Sequence, residues 1–549
     1  MTELLFPSGL SQGSVGLGLK AIVDSLGACE ALRFRDVPID GIACHTKEVR
    51  RGSLFVAVRG TKEDGSAFAQ QAVAMGAVAI LSEVPLDLPV PVIVVPAARR
   101  ALADAARRFY RDPSHAIPVV GITGTNGKTT TVQLVRACLE AAGKQVGTLG
   151  TIASEYAGRR LKADNTTPDP IRIHGYLREM VDLGVQACAM EVSSHALAQE
   201  RVRGVRFAAG VFLNLTQDHL DYHGSMPEYA KAKARLFEML EPGAHAIVCK
   251  DARAHELMAQ SARHGVKVLT FGRSKEAMVR AEKVVCSLEG TSFDLIMPRG
   301  RVSVMLRLPG LHNVQNALAA ATTALALGVT ELTIAQALDI AKPVRGRLEL
   351  VGNRGGVRVF VDYAHTPDAL EKVCATLRSM TPGRLIVVFG CGGDRDKGKR
   401  PLMTRVVART ADLAVLTSDN PRTEDPEAIL DQMGEGLRGL AATPSAECWR
   451  ISDRATAIQE AIATAKCGDT VLVAGKGHET VQMLADTVVP FDDAEIAAEA
   501  LRARGSGERA GREWVGHPSS GPARPGIGNG ASVRQTFPGQ ALLGGESLQ

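Results

Sequence analysis

Paired cysteines are absent from this chain. Its 10 cysteines are scattered singly between Cys29 and Cys467, and none stands in a CxxC pair. Zinc knuckles and disulfide frameworks are excluded, which leaves buried free thiols in a reducing cytosol. Long apolar runs are absent too. No stretch reaches the roughly 18 residues of a spanning helix, and Met1 to Leu10 lacks a basic segment leading into an apolar core. Neither a membrane span nor a secretory signal is expected. Nor is there strong charge of one sign. The 64 Lys and Arg against 59 Asp and Glu leave a net +5. Much of that excess belongs to the Arg-containing tail beyond Leu501, so no nucleic-acid partner is implied. No internal repeat is visible. A cytoplasmic protein is expected, and separately from these absences, small-molecule substrates and a monomer.

What is present is apolar material in regular alternation. At 549 residues, 45% apolar and 22% charged, the chain has room for about three domains of roughly 100–200 residues and for several packed cores. Strands are expected at 53–58 and 77–81, with helices at 68–75 and 101–110. Asp112-Pro113-Ser114 breaks that pattern. An apolar strand at 118–123 passes through a Gly-rich turn into a helix near 129–142, and Gly143 stops it. A further strand is expected at 209–213, and a helix begins near Met226-Pro227. After Pro343, the segments 357–361, 385–389, 413–417 and 470–474 read as buried strands, with helices such as 367–379 and 454–465 between them. The fold class is therefore α/β, a mostly parallel sheet with helices on both faces. The expected division is 1–112, 113–342, 343–500 and a disordered tail at 501–549, where Gly, Pro, Ser and Arg dominate from Gly505.

The sharpest local signal is Gly124-Thr125-Asn126-Gly127-Lys128-Thr129-Thr130. It comes after a strand and opens a helix, the context a phosphate loop requires. Glycines let backbone N–H groups face phosphates, and the helix start adds partial positive charge. Lys128 is placed to reach terminal phosphates and Thr129 to offer its hydroxyl to Mg²⁺. The strict pattern wants Gly at position 122, where this chain has Ile122, so the loop is a variant. It announces a nucleoside triphosphate and nothing about the second substrate.

Two polar clusters come after apolar strands: Glu191 to His195, and Asn214 to Gly224. Polar residues at the C-terminal ends of parallel strands are where such sheets bind ligands. Glu191 and His219 are candidate ligands for Mg²⁺, which partners phosphates and prefers oxygen. His195 and His223 read as hydrogen-bonded structural histidines. Lys231, Lys233 and Arg235, taken alone, read as a solvated helix face.

Together with Asp218-His219-Leu220-Asp221, His312-Asn313-Val314-Gln315-Asn316 and Tyr363-Ala364-His365-Thr366-Pro367, these motifs resemble those of the Mur ligase family, in order over residues 40 to 490. The resemblance implies three domains: one for the UDP end of a precursor, a central ATPase and a C-terminal Rossmann-like domain. It implies ATP and Mg²⁺ as cofactors and a carboxylate–amine ligase that works through an acyl phosphate. It places Asn313 and Arg347 against ATP, and makes Lys233 a carbamylated ligand of Mg²⁺ beside Thr129, Glu191 and His219. A bare ammonium would repel the cation, whereas a carbamate offers anionic oxygens. By the same resemblance Asn165, Thr166, Thr167, Ser193, Gln199 and Arg201 bind the muramoyl-peptide side of the precursor. At the uridine end Thr46 keeps a hydroxyl where His45-Thr46-Lys47 replaces the family's Asp-Ser-Arg, and Thr61-Lys62-Glu63 occupies the next family position.

Asp419-Asn420-Pro421-Arg422 resembles the motif of the family members that add diaminopimelate. Diaminopimelate carries a distal carboxylate that lysine lacks, and a guanidinium fork matches a carboxylate with two parallel hydrogen bonds. Arg422 and Arg395 are the expected clamps. Gly475 and Glu479 complete the set, with Glu479 expected to pair with the distal ammonium. A surface salt bridge is the alternative fate for Arg422. Three rival functions remain: the same ligation with lysine, a folylpolyglutamate synthase-like ligase, and a nucleotide-gated binding protein without turnover.

Overall fold

The computed structural model describes residues 17–60, 63–438, 446–485, 487–504 and the pair Gln535–Thr536. Thr61 and Lys62 lie outside the described residues. Three sheets carry the architecture, each packed into its own pair of hydrophobic clusters.

The first sheet runs Glu30–Leu32, Val92–Val94, Ala77–Ser82, Ser53–Val56, Gly41–Ala43, parallel except for its first strand. The expected helices appear as Ala69–Ala74 and Ala98–Phe109. The longer one has alanines and Leu102 on its buried side and Arg107 and Arg108 in its last turn, which suits the negative end of a helix.

The central sheet has 11 strands. Its middle is parallel, with Val146–Leu149, Ala187–Glu191, Val119–Thr123, Phe207–Phe212 and His245–Cys249 side by side. Every residue of Val119–Thr123 and of Ala187–Glu191 is buried, because helices cover both faces. That is why these strands read as continuous apolar runs. Two cores sit on opposite faces, one built around the helices Lys128–Ala141 and Leu311–Ala326, the other around Pro170–Asp182 and Met226–Glu238. In register, Glu191 lies beside Ile122 and Phe212 beside Thr123. The three strands therefore end together, and the loops that leave them meet at one edge of the sheet.

The third sheet places Val357–Asp362, Thr470–Ala474, Leu385–Cys391, Leu413–Ser418 and Glu447–Arg450 in parallel. Helices at Pro367–Met380 and Arg454–Thr464 match expectation within a residue. The tail expectation needs correction at its start. The helix Asp493–Arg504 continues past residue 500, because Leu501 is buried against that sheet's core. Gln535–Thr536 also pairs, antiparallel, with Trp449 and Arg450. The other residues from 505 on lie outside the described residues. Among the described residues no helix is long and apolar enough to cross a membrane.

Candidate functional site

The strand Val119–Thr123 delivers the chain into Gly124 at φ 159° and Gly127 at φ 88°, backbone that suits glycine. A Cβ on Gly127 would stand 2.3 Å from Asn316 Oδ1. The helix starts at Lys128, so its free N–H groups face the cavity above the loop. That cavity has a volume of about 320 Å³. Thr125, Asn126, Lys128, Thr129 and Thr130 line it from the loop, Asn313 from the helix Leu311–Ala326, and Arg347 and Tyr363 from the third domain. Gly124 contributes its carbonyl: Lys128 Nζ donates to the carbonyls of Gly124 and Thr125, each at 2.9 Å. Burial pushes the Lys128 amine down from its ordinary value, with Glu191 and Asp218 opposing. Arg347 donates to Thr129 Oγ1 at 3.2 Å and lies over the Tyr363 ring at 4.5 Å. Its buried Nε has no hydrogen-bond partner in the structure, a donor free for an anionic ligand. Asn313 is held by Pro309 O and by Asn316 Nδ2, which donates to its Oδ1 at 3.1 Å.

Glu191 ends its strand buried, and its carboxylate accepts from Thr151 N at 2.8 Å and Thr151 Oγ1 at 3.1 Å. Glu191, His219 and Thr129 all line the cavity. Among the described residues no group of three or more His, Cys, Asp or Glu converges as a metal site. The donors there include the Glu191 carboxylate, the Thr129 hydroxyl and the His219 imidazole. That set fits Mg²⁺, which takes few protein ligands and completes its shell from phosphates and water. His219 has φ 53° and its Nε2 lies 3.4 Å from Asp218. Burial lowers its pKa, with Asp218 opposing and Lys128 and Lys233 adding to the depression. Lys233 corrects the solvated-face reading: it is 1% exposed, on the inner side of Met226–Glu238. Its Nζ stands 4.4 Å from the centre of the Tyr229 ring, and Tyr229 OH meets Thr125 Oγ1 at 3.2 Å. Burial drives the Lys233 amine well below its usual range, and Lys128 adds to this. Lys231 pairs with Glu228 in solvent. His223 Nε2 meets Ser194 Oγ at 2.9 Å, as a structural histidine would, while His195 packs edge-on against His219.

Four of the residues assigned to the precursor form one knot. Ser193 caps the helix Ser194–Ala198, and its backbone N–H donates to Thr167 Oγ1 at 3.0 Å. Arg201 donates to Thr167 O and, through two nitrogens, to Gln199 Oε1. Thr166 joins through Thr151, hydroxyl to hydroxyl at 3.1 Å, and also lines the nucleotide cavity. Asn165 is exposed beside it. Thr46 stands apart, on a short turn of the first domain whose Glu48 faces Arg172 at 3.9 Å.

The third-domain candidates gather at the ends of Leu413–Ser418 and Thr470–Ala474. Arg422 has φ 54°. Its backbone is pinned to the hairpin Val481–Leu484/Thr487–Pro490 by N–H to Met483 O at 3.1 Å and by Ala485 N–H to its own carbonyl at 2.7 Å. Its guanidinium donates to Gly393 O at 2.8 Å instead of forming a surface salt bridge. Arg395 is exposed, and a Cβ built on Gly392 would meet both Arg422 and Arg395 within 3.7 Å. Pro421 O packs against Gly393, and Asp419 against Gly475. Glu479 is already engaged on one oxygen, Oε2, by Asn420 Nδ2 at 2.9 Å and Lys476 Nζ at 3.0 Å. Sequence reasoning missed Lys476, which is fully buried. The signal was its place beside Glu479 in Gly475-Lys476-Gly477-His478-Glu479. It also missed Thr151, which nothing in the local sequence marks.

The Mur ligase middle domain family matches residues 122–324, the Mur ligase glutamate ligase domain matches 346–477, and the Mur ligase family catalytic domain matches 38–110. Curated relatives named UDP-N-acetylmuramoyl-L-alanyl-D-glutamate–2,6-diaminopimelate ligase include one from Bacillus velezensis, 44% identical over 85% of this chain and 95% of the relative. Another, from Chlorobaculum tepidum, is 41% identical over 88% of this chain and 97% of the relative. A solved structure bearing the same name is 33% identical, with a TM-score of 0.62 over 85% of this chain and 96% of its own. Motif order, three-sheet architecture and matches along nearly the whole folded chain agree: this chain belongs to the Mur ligase family.

Proposed function

We propose that this chain joins meso-diaminopimelate to UDP-N-acetylmuramoyl-L-alanyl-D-glutamate with conversion of ATP to ADP, in peptidoglycan precursor synthesis. On this reading residues 1–112 take the UDP end, 113–342 the ATP, and 343–504 the amino acid, in a cytoplasmic monomer. The relatives' names support the substrates. The observation that carries the choice of amino acid is the Arg422 turn, where a guanidinium is held by backbone bonds at the ends of buried strands.

The first step brings two anions together: the D-Glu γ-carboxylate attacks the γ-phosphorus and ADP leaves, giving an acyl phosphate. Cations and oriented dipoles must surround that event. Lys128, the free Nε of Arg347 and the helix start at Lys128 supply them. Glu191, Thr129, His219 and a carbamylated Lys233 would hold Mg²⁺, which supplies charge neutralisation on phosphate oxygens. A neutral amine is what reacts with carbon dioxide, and the burial of Lys233 favours that form. In the second step the amino group of diaminopimelate attacks the acyl carbon, loses a proton, and phosphate departs. Thr167, Ser193, Gln199 and Arg201 position the precursor. Arg422 and Arg395 bind the distal carboxylate, and the unengaged oxygen of Glu479 meets the distal ammonium.

The test is ADP release by purified protein with the UDP-linked dipeptide and a panel of amino acids. Release that requires both the precursor and diaminopimelate is expected. Equal release with lysine would overturn the choice of amino acid, and release independent of the precursor would overturn the ligase.

A further inference from the structure

The helix Pro367–Met380 of the third domain begins against the phosphate loop of the central domain, and Asp368 stands at its second position. One carboxylate oxygen, Oδ2, accepts from Asn126 Nδ2 at 3.0 Å, from Thr216 Oγ1 at 3.0 Å and from Lys372 Nζ at 2.8 Å. The first two donors are rigid parts of the nucleotide site. Asn126 is clamped on its backbone by Asn214, whose Oδ1 accepts its N–H at 2.9 Å and whose Nδ2 donates to its carbonyl at 3.0 Å. Thr216 is tied to Thr125 in the same manner, by N–H to Oγ1 at 3.1 Å and Oγ1–H to carbonyl at 3.2 Å. Both residues therefore offer to the third domain only a side-chain donor, and both donors converge on the same atom. The third donor, Lys372, lines the cavity itself, so the carboxylate also holds a cation there.

We propose that Asp368 is a positioning residue that latches the third domain onto the nucleotide site: it reads the ordered form of the phosphate loop and holds the domains closed while the amine attacks. This rests on the ligase reading for its consequence in turnover, though not for the latch itself. Charge-assisted hydrogen bonds are the strong class, and a single carboxylate that collects two of them across a domain boundary, with a third from Lys372 on its own helix, is placed to couple loop order to closure. The Arg347 to Thr129 bond crosses the same boundary nearby, but its donor also faces the ligand, whereas Asp368 bonds only protein.

The test combines Asp368→Ala, Asp368→Asn, Asn126→Ala and the double variant Asn126→Ala/Asp368→Ala in the full chain. Small-angle scattering with a non-hydrolysable ATP analogue reads closure, and steady-state kinetics read turnover. Asp368→Ala is expected to leave an expanded particle with the analogue bound and to lower kcat roughly ten- to a hundredfold, the effect of losing charged hydrogen bonds. Asp368→Asn, which keeps an acceptor for Asn126 or Thr216, is expected to recover part of both. The double variant is expected to be little worse than Asp368→Ala alone, because one interaction is removed twice. Compaction equal to wild type in Asp368→Ala, or strictly additive losses in the double variant, would overturn the latch. If Asp368→Ala does not fold, the Asn126→Ala and Asp368→Asn scattering decides. Failure of the ligase reading would appear differently, as wild-type protein that compacts normally and forms no product.

Discussion

Arg422 holds a conformation that costs an ordinary residue on the order of 1 kcal/mol, with φ 54°. Such strain persists where surroundings over-determine it, and it gathers at ligand clamps. Here two backbone bonds to the hairpin and one guanidinium bond to Gly393 O do the over-determining. Arg422→Ala is expected to raise KM for diaminopimelate by about ten- to a hundredfold, the loss of a charged bidentate contact, with KM for ATP little changed. Steady-state kinetics varying each substrate check it, and unchanged diaminopimelate kinetics would remove the clamp. The residue type was legible in sequence. Its left-handed backbone was not, because that depends on a hairpin some 60 residues later, whose Met483 takes the Arg422 N–H. Lys233 is the same lesson reversed. Read beside Lys231 and Arg235 it looks solvated, and only the packing of its helix shows it buried against Tyr229.

Elements were easier to read where one local rule dominated. Buried parallel strands announce themselves as unbroken apolar runs, and the helix Pro367–Met380 carries Thr366 as its cap and Pro367 in its first turn. What the elements need from one another was harder to see. The helices Arg454–Thr464 and Asp493–Arg504 are joined by a fully buried pair, with Arg454 Nε and Nη2 donating to the two oxygens of Asp493 at 2.8 and 2.7 Å. Two further donations, to Ser418 O and Ala474 O, tie the pair to the strand ends that carry the Asp419 turn and Gly475. Removing one partner leaves an uncompensated buried charge, so Arg454→Ala is expected to cost about 3–5 kcal/mol. Urea unfolding monitored by circular dichroism checks this. A loss below about 1 kcal/mol would show the pair to be idle.

At the scale of the whole molecule, acid should loosen the central body through His174. It is fully buried in the helix Pro170–Asp182, with Nδ1 unpartnered and Nε2 3.4 Å from Arg203 O. Burial pushes its pKa down to about 4, with Arg107 adding to the fall and Asp112 opposing it. The folded value is depressed, so as pH falls the unfolded chain takes up the proton first, near its ordinary value of about 6.5. The stability is complete above that pH, is lost progressively between about 6.5 and 4, and levels off below. The loss amounts to about 3 kcal/mol. Urea midpoints measured across that range should fall more steeply for wild type than for His174→Gln. Parallel curves would assign acid sensitivity to other groups. Closure belongs to this scale too, since Asn126, Thr129 and Thr216 of one domain bond Arg347 and Asp368 of another.

By itself the sequence determined the α/β class, the phosphate loop and the list of polar residues at strand ends, because strand burial, glycine turns and helix starts are governed by neighbours in the chain. Tertiary structure alone decided which of those residues share a cavity, which face one another across domains, and which partners they already have. Glu191 with Thr151, Glu479 with Asn420, and Asp368 with the phosphate loop are contacts between segments far apart in sequence or on different strands. Such pairings arise from sheet order and domain docking, and no local pattern of residues encodes either.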